Sequence, residues 1–114
     1  MDEVVYLNDL FDIYGELLTD KQKDYFKDYY FNNMSYGEIA LKYNISRNAI
    51  YKQLGSATEK LNELEDILNI YKNNKKIREI INNCSDKKII SELEKIIWLY
   101  YFFCCNYWNF ILKL

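Results

Sequence analysis

Not one proline interrupts this 114-residue chain, and glycine occurs at only three positions. Inside a helix, proline costs roughly 3 kcal/mol and glycine roughly 1 kcal/mol relative to alanine. A chain almost free of both has little to stop a helix, so all-α is the expected class. Half of the residues are hydrophobic, which is enough for a core and argues against disorder. The length suits one domain and falls short of two independent cores. The expectation is a helical bundle whose helix ends are set by capping side chains instead of breakers.

Those caps are legible. Val5, Leu7, Leu10, Phe11, Tyr14 and Leu17/Leu18 recur at helical spacing. They predict an amphipathic helix over 5–18, with Asp9, Asp12 and Glu16 on its other side. Those carboxylates read as a solvated face or a surface for a basic partner. Thr19-Asp20-Lys21-Gln22 then carries the capping-box pattern, in which hydroxyl and amide each satisfy a free backbone N–H. With Leu18 as a hydrophobic staple, it predicts a second helix from about Asp20 to Phe31. Its aromatic face of Tyr25, Phe26, Tyr29 and Tyr30 reads most simply as core. Ser35-Tyr36-Gly37-Glu38 is a second capping box, opening a short helix over Tyr36–Lys42.

Residues Ser35–Ser56, SYGEIALKYNISRNAIYKQLGS, have the order cap, short helix, turn, cap, longer helix. This is the layout of a helix-turn-helix. Asn44 tolerates the left-handed backbone that the turn requires, and Ser46 caps the next helix. Ala40 is small where the two helices approach, and Ile39, Ile45, Ile50 and Leu54 should form a shared apolar plug. Left outward near the start of the longer helix are Arg47, Asn48, Tyr51 and Lys52, on one face. A recognition helix presents that face to the major groove. Arginine pairs with guanine and asparagine with adenine through two hydrogen bonds each. Lys52 and the helix N-terminus suit phosphates, and Tyr51 suits stacking or a thymine methyl. Ser46, Ser56, Lys42 and Lys60 complete the candidate DNA-binding set at the rim. The same geometry also serves as a packing unit or a protein contact.

Leu54, Ala57, Leu61, Leu64, Leu68 and Tyr71 come next at alternating spacings of three and four. They predict one long helix with an a/d seam. A homodimer and internal packing on the first helix both fit such a seam. Gly55 inside that helix marks either a close approach or drift. Asn82-Asn83-Cys84-Ser85 reads as a break. From Ile96 to Leu112 no residue is charged. That run is at the bottom of the transmembrane range, and its Trp and Tyr are scattered and not gathered at its ends. It fits a buried or partner-covered segment, an atypical tail from a frame change in the gene, or an anchor, and no membrane span is expected. The expected organisation is a helix-turn-helix core over 1–81, a helix over 82–95 and an apolar tail over 96–114.

Charge is unevenly placed. Residues 1–34 carry eight Asp/Glu against three Lys, whereas residues 35–60 carry Lys42, Arg47, Lys52 and Lys60 against Glu38 and Glu59. The one positive region thus coincides with the helix-turn-helix, although the chain has a net charge of −2. There is no histidine, and Cys84, Cys104 and Cys105 fit neither a disulfide framework nor a zinc site. With no nucleophile motif and no glycine-rich phosphate loop, the chain is expected to be no enzyme and to need no cofactor or metal. Reduced cysteines and an acidic N-terminus point to the cytoplasm.

The run Leu10 to Gln22, then Tyr29-Tyr30, Ser35 to Ala40 and Ser46 to Tyr51 resembles the YlxM-like family of small bacterial helix-turn-helix proteins. The resemblance covers about Val5 to Ile81, with a looser likeness to region 4 of sigma factors. It implies an all-α, sigma region 4-like fold without a wing, and no enzymatic activity. It also implies a regulatory link to the signal recognition particle pathway, beside whose GTPase genes the family's genes lie. By position it makes Arg47, Asn48, Tyr51 and Lys52 the base-reading face. The expected function is a DNA-binding regulator with double-stranded DNA as partner. The alternative is a protein- or RNA-binding accessory of the signal recognition particle. Family members usually end in a charged helix, and the apolar run from Ile96 departs from that.

Overall fold

Asp2 opens the first helix: its side chain accepts from the Val4 N–H at 3.0 Å. In the computed structural model, which describes residues 2–104 with side chains through Ile97, helix α1 spans Glu3–Tyr14 and buries Leu7, Leu10, Ile13 and Tyr14. It stops short of the expected Leu18 because Gly15–Leu17 tighten into a 3₁₀ turn. Gly15 is buried under the Phe11 ring, which a Cβ there would meet at 3.1 Å.

Both capping boxes form. Thr19 Oγ1 accepts from the Gln22 N–H while Gln22 Oε1 accepts from the Thr19 N–H, each at 3.2 Å. They open α2, Asp20–Phe26, which continues to Phe31 as a π-helical turn over Lys27–Phe31. Phe26 is fully buried and stacks on Phe11 at 4.4 Å. Tyr29 and Tyr30 are only half-buried, so the aromatic face is not all core. Ser35 and Glu38 form the second box and open α3, Tyr36–Tyr43. Asn44 ends it at φ 55°, as expected, and Ser46 caps α4, Arg47–Leu68, by accepting from the Ala49 N–H at 3.0 Å.

Helix α4 is the central strut, packed on α1, α2 and α3. Ile50, Ala57 and Leu61 are fully enclosed among Leu7, Leu10, Phe26 and Ile39. Each enclosed Ile or Leu contributes about 1.5–3 kcal/mol by leaving water. Helix α5, Ile70–Asn82, and helix α6, Lys87–Cys104, fold back on α1 and on each other. No strand occurs among the described residues, so the fold is all-α, and no described helix is long and apolar enough to cross a membrane.

The structure corrects several expectations. Ile45 is not part of the apolar plug but is 37% exposed on the turn, since Ile39, Ala40, Ile50 and Leu54 already close the gap. The seam does not run along one helix. Helix α4 ends at Leu68, Asn69 turns left-handed, and Tyr71 belongs to α5. Leu54, Ala57 and Leu61 are buried in the chain's own core, Leu64 packs against that core, and Leu68 is 47% exposed. The boundary expected at residue 96 falls inside α6, whose Ile97 is buried. Residues 105–114 of the apolar tail lie outside the described residues. The acidic side of α1 is not simply solvated: Asp9 lines a cavity of about 130 Å³ with Tyr71, Asn74, Lys75 and Arg78 of α5.

Candidate nucleic-acid interface

The α3–α4 elbow is built from local signals and fastened by a tertiary one. Locally, the Ser35 and Ser46 caps and the left-handed Asn44 set the lengths of both helices and the turn between them. The fastening is Asp28, 4% exposed in the π-helical turn. Its carboxylate accepts from the Tyr43 hydroxyl at 2.7 Å, from the Lys42 ammonium at 3.0 and 3.1 Å, and from the Asn32 amide at 3.1 Å. Burial alone would raise the Asp28 carboxyl, but the hydrogen bonds from Tyr43, Lys42 and Asn32 outweigh it and hold it below the ordinary value. The bond to Asp28 in turn holds the Lys42 ammonium above its usual value. Lys42 is therefore tied inward as the clamp between the π-helical turn and α3, and its charge is largely spent there.

The other expected residues lie along α4. Arg47, Asn48, Tyr51 and Lys52 are all exposed on its first two turns. Arg47 leans back over α3, with Nε 3.7 Å from where a Gly37 side chain would begin. Tyr51 is 62% exposed yet not loose, because its ring meets Tyr36 edge-on at 6.0 Å and Tyr36 stacks on Tyr29 at 4.9 Å. The hydrogen bond with Tyr29, then burial and the neighbouring tyrosines, pushes the Tyr36 phenol up to about 12. Lys52, Ser56 and Lys60 succeed one another at four-residue intervals and so form one row on the helix. Ser56 Oγ accepts from Gln22 Nε2 at 3.4 Å, so that row runs along the edge of α2. Ser46 acts as a cap, with its hydroxyl turned to the α4 backbone.

Two features were missed in the sequence. The Asp28–Lys42 clamp joins residues fourteen apart on different helices, a distance that no periodicity reports. The Tyr29–Tyr36–Tyr51 chain is hidden because the spacing of Tyr29 suits the core and Tyr36 stands only as the first residue of a helix. Tyr29 and Tyr36 line one shallow groove with Tyr30, Met34 and Arg47, and Tyr36 and Tyr51 line a second with Tyr30 and Lys52. Among the described residues no group of three His, Cys, Asp or Glu side chains could hold a metal.

A short capped helix, a left-handed asparagine turn and a longer capped helix with its polar face outward make this a helix-turn-helix protein of the all-α class. The model of the UPF0122 family, described as "Putative helix-turn-helix protein, YlxM / p13 like", matches residues 1–98. A UPF0122 protein of Fusobacterium nucleatum is 38% identical over 97 residues, 85% of this chain and 94% of that protein. One from Mycoplasma capricolum is 35% identical over 89% of this chain and 94% of its own length. One from Bacillus licheniformis is 36% identical over 84% and 97% respectively. The chain belongs to the UPF0122, YlxM-like family. No solved structure matches it.

Proposed function

We propose that the chain is a regulatory protein that binds double-stranded DNA with the first turns of α4 in the major groove. The observation behind this reading is the exposed set Arg47, Asn48, Tyr51 and Lys52 on a helix whose start is fixed by the Ser46 cap and whose partner helix is clamped by Asp28. Asn48 supplies an adenine contact and Arg47 a guanine contact. Tyr51, held by Tyr36, offers a preordered apolar surface, and Lys52 and Lys60 meet phosphates. DNA as the partner places the work of the protein in the cytoplasm.

The test is anisotropy of a labelled duplex titrated at about 50 and 200 mM salt. Binding should weaken with salt; Lys52→Ala, which removes a phosphate contact, should lower the salt slope by about 1, and adding Arg47→Ala should relax the preference for guanine and weaken binding further. An unchanged slope in the double variant would sink the proposal. RNA of the signal recognition particle serves as competitor. If it binds while duplex does not, the accessory reading in the targeting pathway takes its place.

A further inference from the structure

The junction between α4 and α5 is one residue long. Asn69 is both the last cap of one helix and the first of the next, at φ 55° and ψ 28°. Its N–H donates to the Glu65 carbonyl at 2.8 Å, an ordinary left-handed helix end. Less ordinary is that a new helix begins at once and that the Asn69 side chain caps nothing. The free N–H groups of α5 are satisfied from elsewhere. Ile70 N–H donates to the Tyr14 hydroxyl at 3.2 Å. Tyr71 and Lys72 N–H donate to the two oxygens of the buried Glu65 at 2.9 and 3.3 Å. The Tyr14 hydroxyl donates to Glu65 at 2.8 Å and closes the latch.

Take the latch away and nothing local requires the bend. No proline or glycine lies near residue 69, and the three-four apolar spacing runs on through it from Leu54 to Tyr71. Helix from Arg47 to Asn82 would then be continuous, roughly 54 Å long. On that straight helix Ile70 comes nine positions after Leu61, roughly 900° or two and a half turns, and so lies on the opposite side. The inner face of α5, with Ile70, Asn74, Ile77 and Ile81, would point away from the body that grips Leu54, Ala57 and Leu61. The bend at Asn69 is what returns that face to the chain's own α1.

We propose that the chain also dimerises by exchange: α4 and α5 straighten through Asn69, and the α5–α6 hairpin of each copy packs on α1 of the other. The occupant of the vacated α1 surface is a second copy because the exchanged contacts are those the chain already makes within itself. The arrangement closes with two-fold symmetry. It frees position 69 from a left-handed conformation that asparagine tolerates and that other non-glycine residues adopt at a cost, and the Glu65–Tyr14 latch is what opposes it. A hinge of a single residue favours such exchange. The proposal is independent of nucleic-acid binding.

The test uses the full chain with its three cysteines replaced by serine and with Asp9→Cys and Lys75→Cys added, positions that line one small cavity between α1 and α5. In a monomer the pair oxidises within one chain; in an exchanged dimer it joins two chains on a denaturing gel. Asn69→Ala should raise the dimerisation constant by about 25-fold, roughly fivefold for each relieved hinge. Asn69→Gly, which suits the bend, should lower it. Masses come from light scattering across a concentration series. Equal masses for Ala and Gly variants would overturn the proposal, as would dimers whose cysteine pair closes within each chain. If Asn69→Ala fails to fold, Glu65→Gln loosens the latch at constant size. It is expected to raise the cross-linked dimer, and no rise overturns the proposal.

Discussion

Replacing Asp28 with alanine should cost about 2 kcal/mol of stability, most of it through one hydrogen bond. The Tyr43 hydroxyl donates to this buried carboxylate at 2.7 Å, and a bond to a charged acceptor inside a protein contributes about 1.5–3 kcal/mol. Lys42 is half exposed and regains water when its partner goes, so its loss adds little. In urea, with a slope of roughly 1–3 kcal/mol per molar, the midpoint followed by circular dichroism should fall by about 0.7–2 M. Tyr43→Phe should remove much the same interaction, so the two changes together should cost less than their sum, by about 1 kcal/mol. The gap between wild type and Asp28→Ala also depends on pH. A carboxyl held below its unfolded value, about 3.9, stabilises the fold above that value and loses the effect as pH falls through the folded one. The gap should be flat from about pH 7 to 5 and close progressively below about pH 4. A gap of the same size on both sides of that range would refute the role given to the charge, and no gap at pH 7 would refute the clamp itself.

Gly55→Ala should stabilise the chain by about 1 kcal/mol. A Cβ there meets nothing within 4 Å, so a thermal melt should rise by about 4–8 °C, and a fall would mean that something packs on Gly55 in solution. Lys42→Met should lower the melting temperature while leaving the salt slope of duplex binding intact. Slope measurements on Lys42→Met beside Lys52→Ala check this, and a slope reduced by about 1 for Lys42→Met would return Lys42 to the phosphate-contacting set.

Capping is written in the sequence because its partners lie two or three residues apart. Thr19 with Gln22, Ser35 with Glu38 and Ser46 with Ala49 all formed where their spacing put them, and Asn44 took the left-handed turn. The helix-turn-helix was legible for that reason. Periodicity misled at Asn69, where an apolar spacing that suits one continuous helix runs through a bend held by Tyr14, fifty-five positions away in the chain. It also misled at Ile45, since an apolar residue in a turn looks like a plug until Ile50 and Leu54 are seen to fill the space. The role of Lys42 depended on Asp28, and only the packing of α3 against the π-helical turn brings the two together. Positions on α4 were readable as outward, but the anchoring of Tyr51 by Tyr36 was not, because ring contacts between separate helices leave no mark on spacing.

The π-helical turn over Lys27–Phe31 holds one more residue than an α-helical path would need there. In terms of insertions and deletions, it is a place where the chain length is fixed by the rotation of the downstream helices. Deleting a single residue there would let the helix run on as ordinary α-helix, with every hydrogen bond of its backbone intact. It would also turn Asp28 by roughly 100° relative to α3. Losses of length should therefore be better tolerated in the Asn83–Asp86 connection, a non-helical loop that can readjust without changing a helical phase, and selected against here.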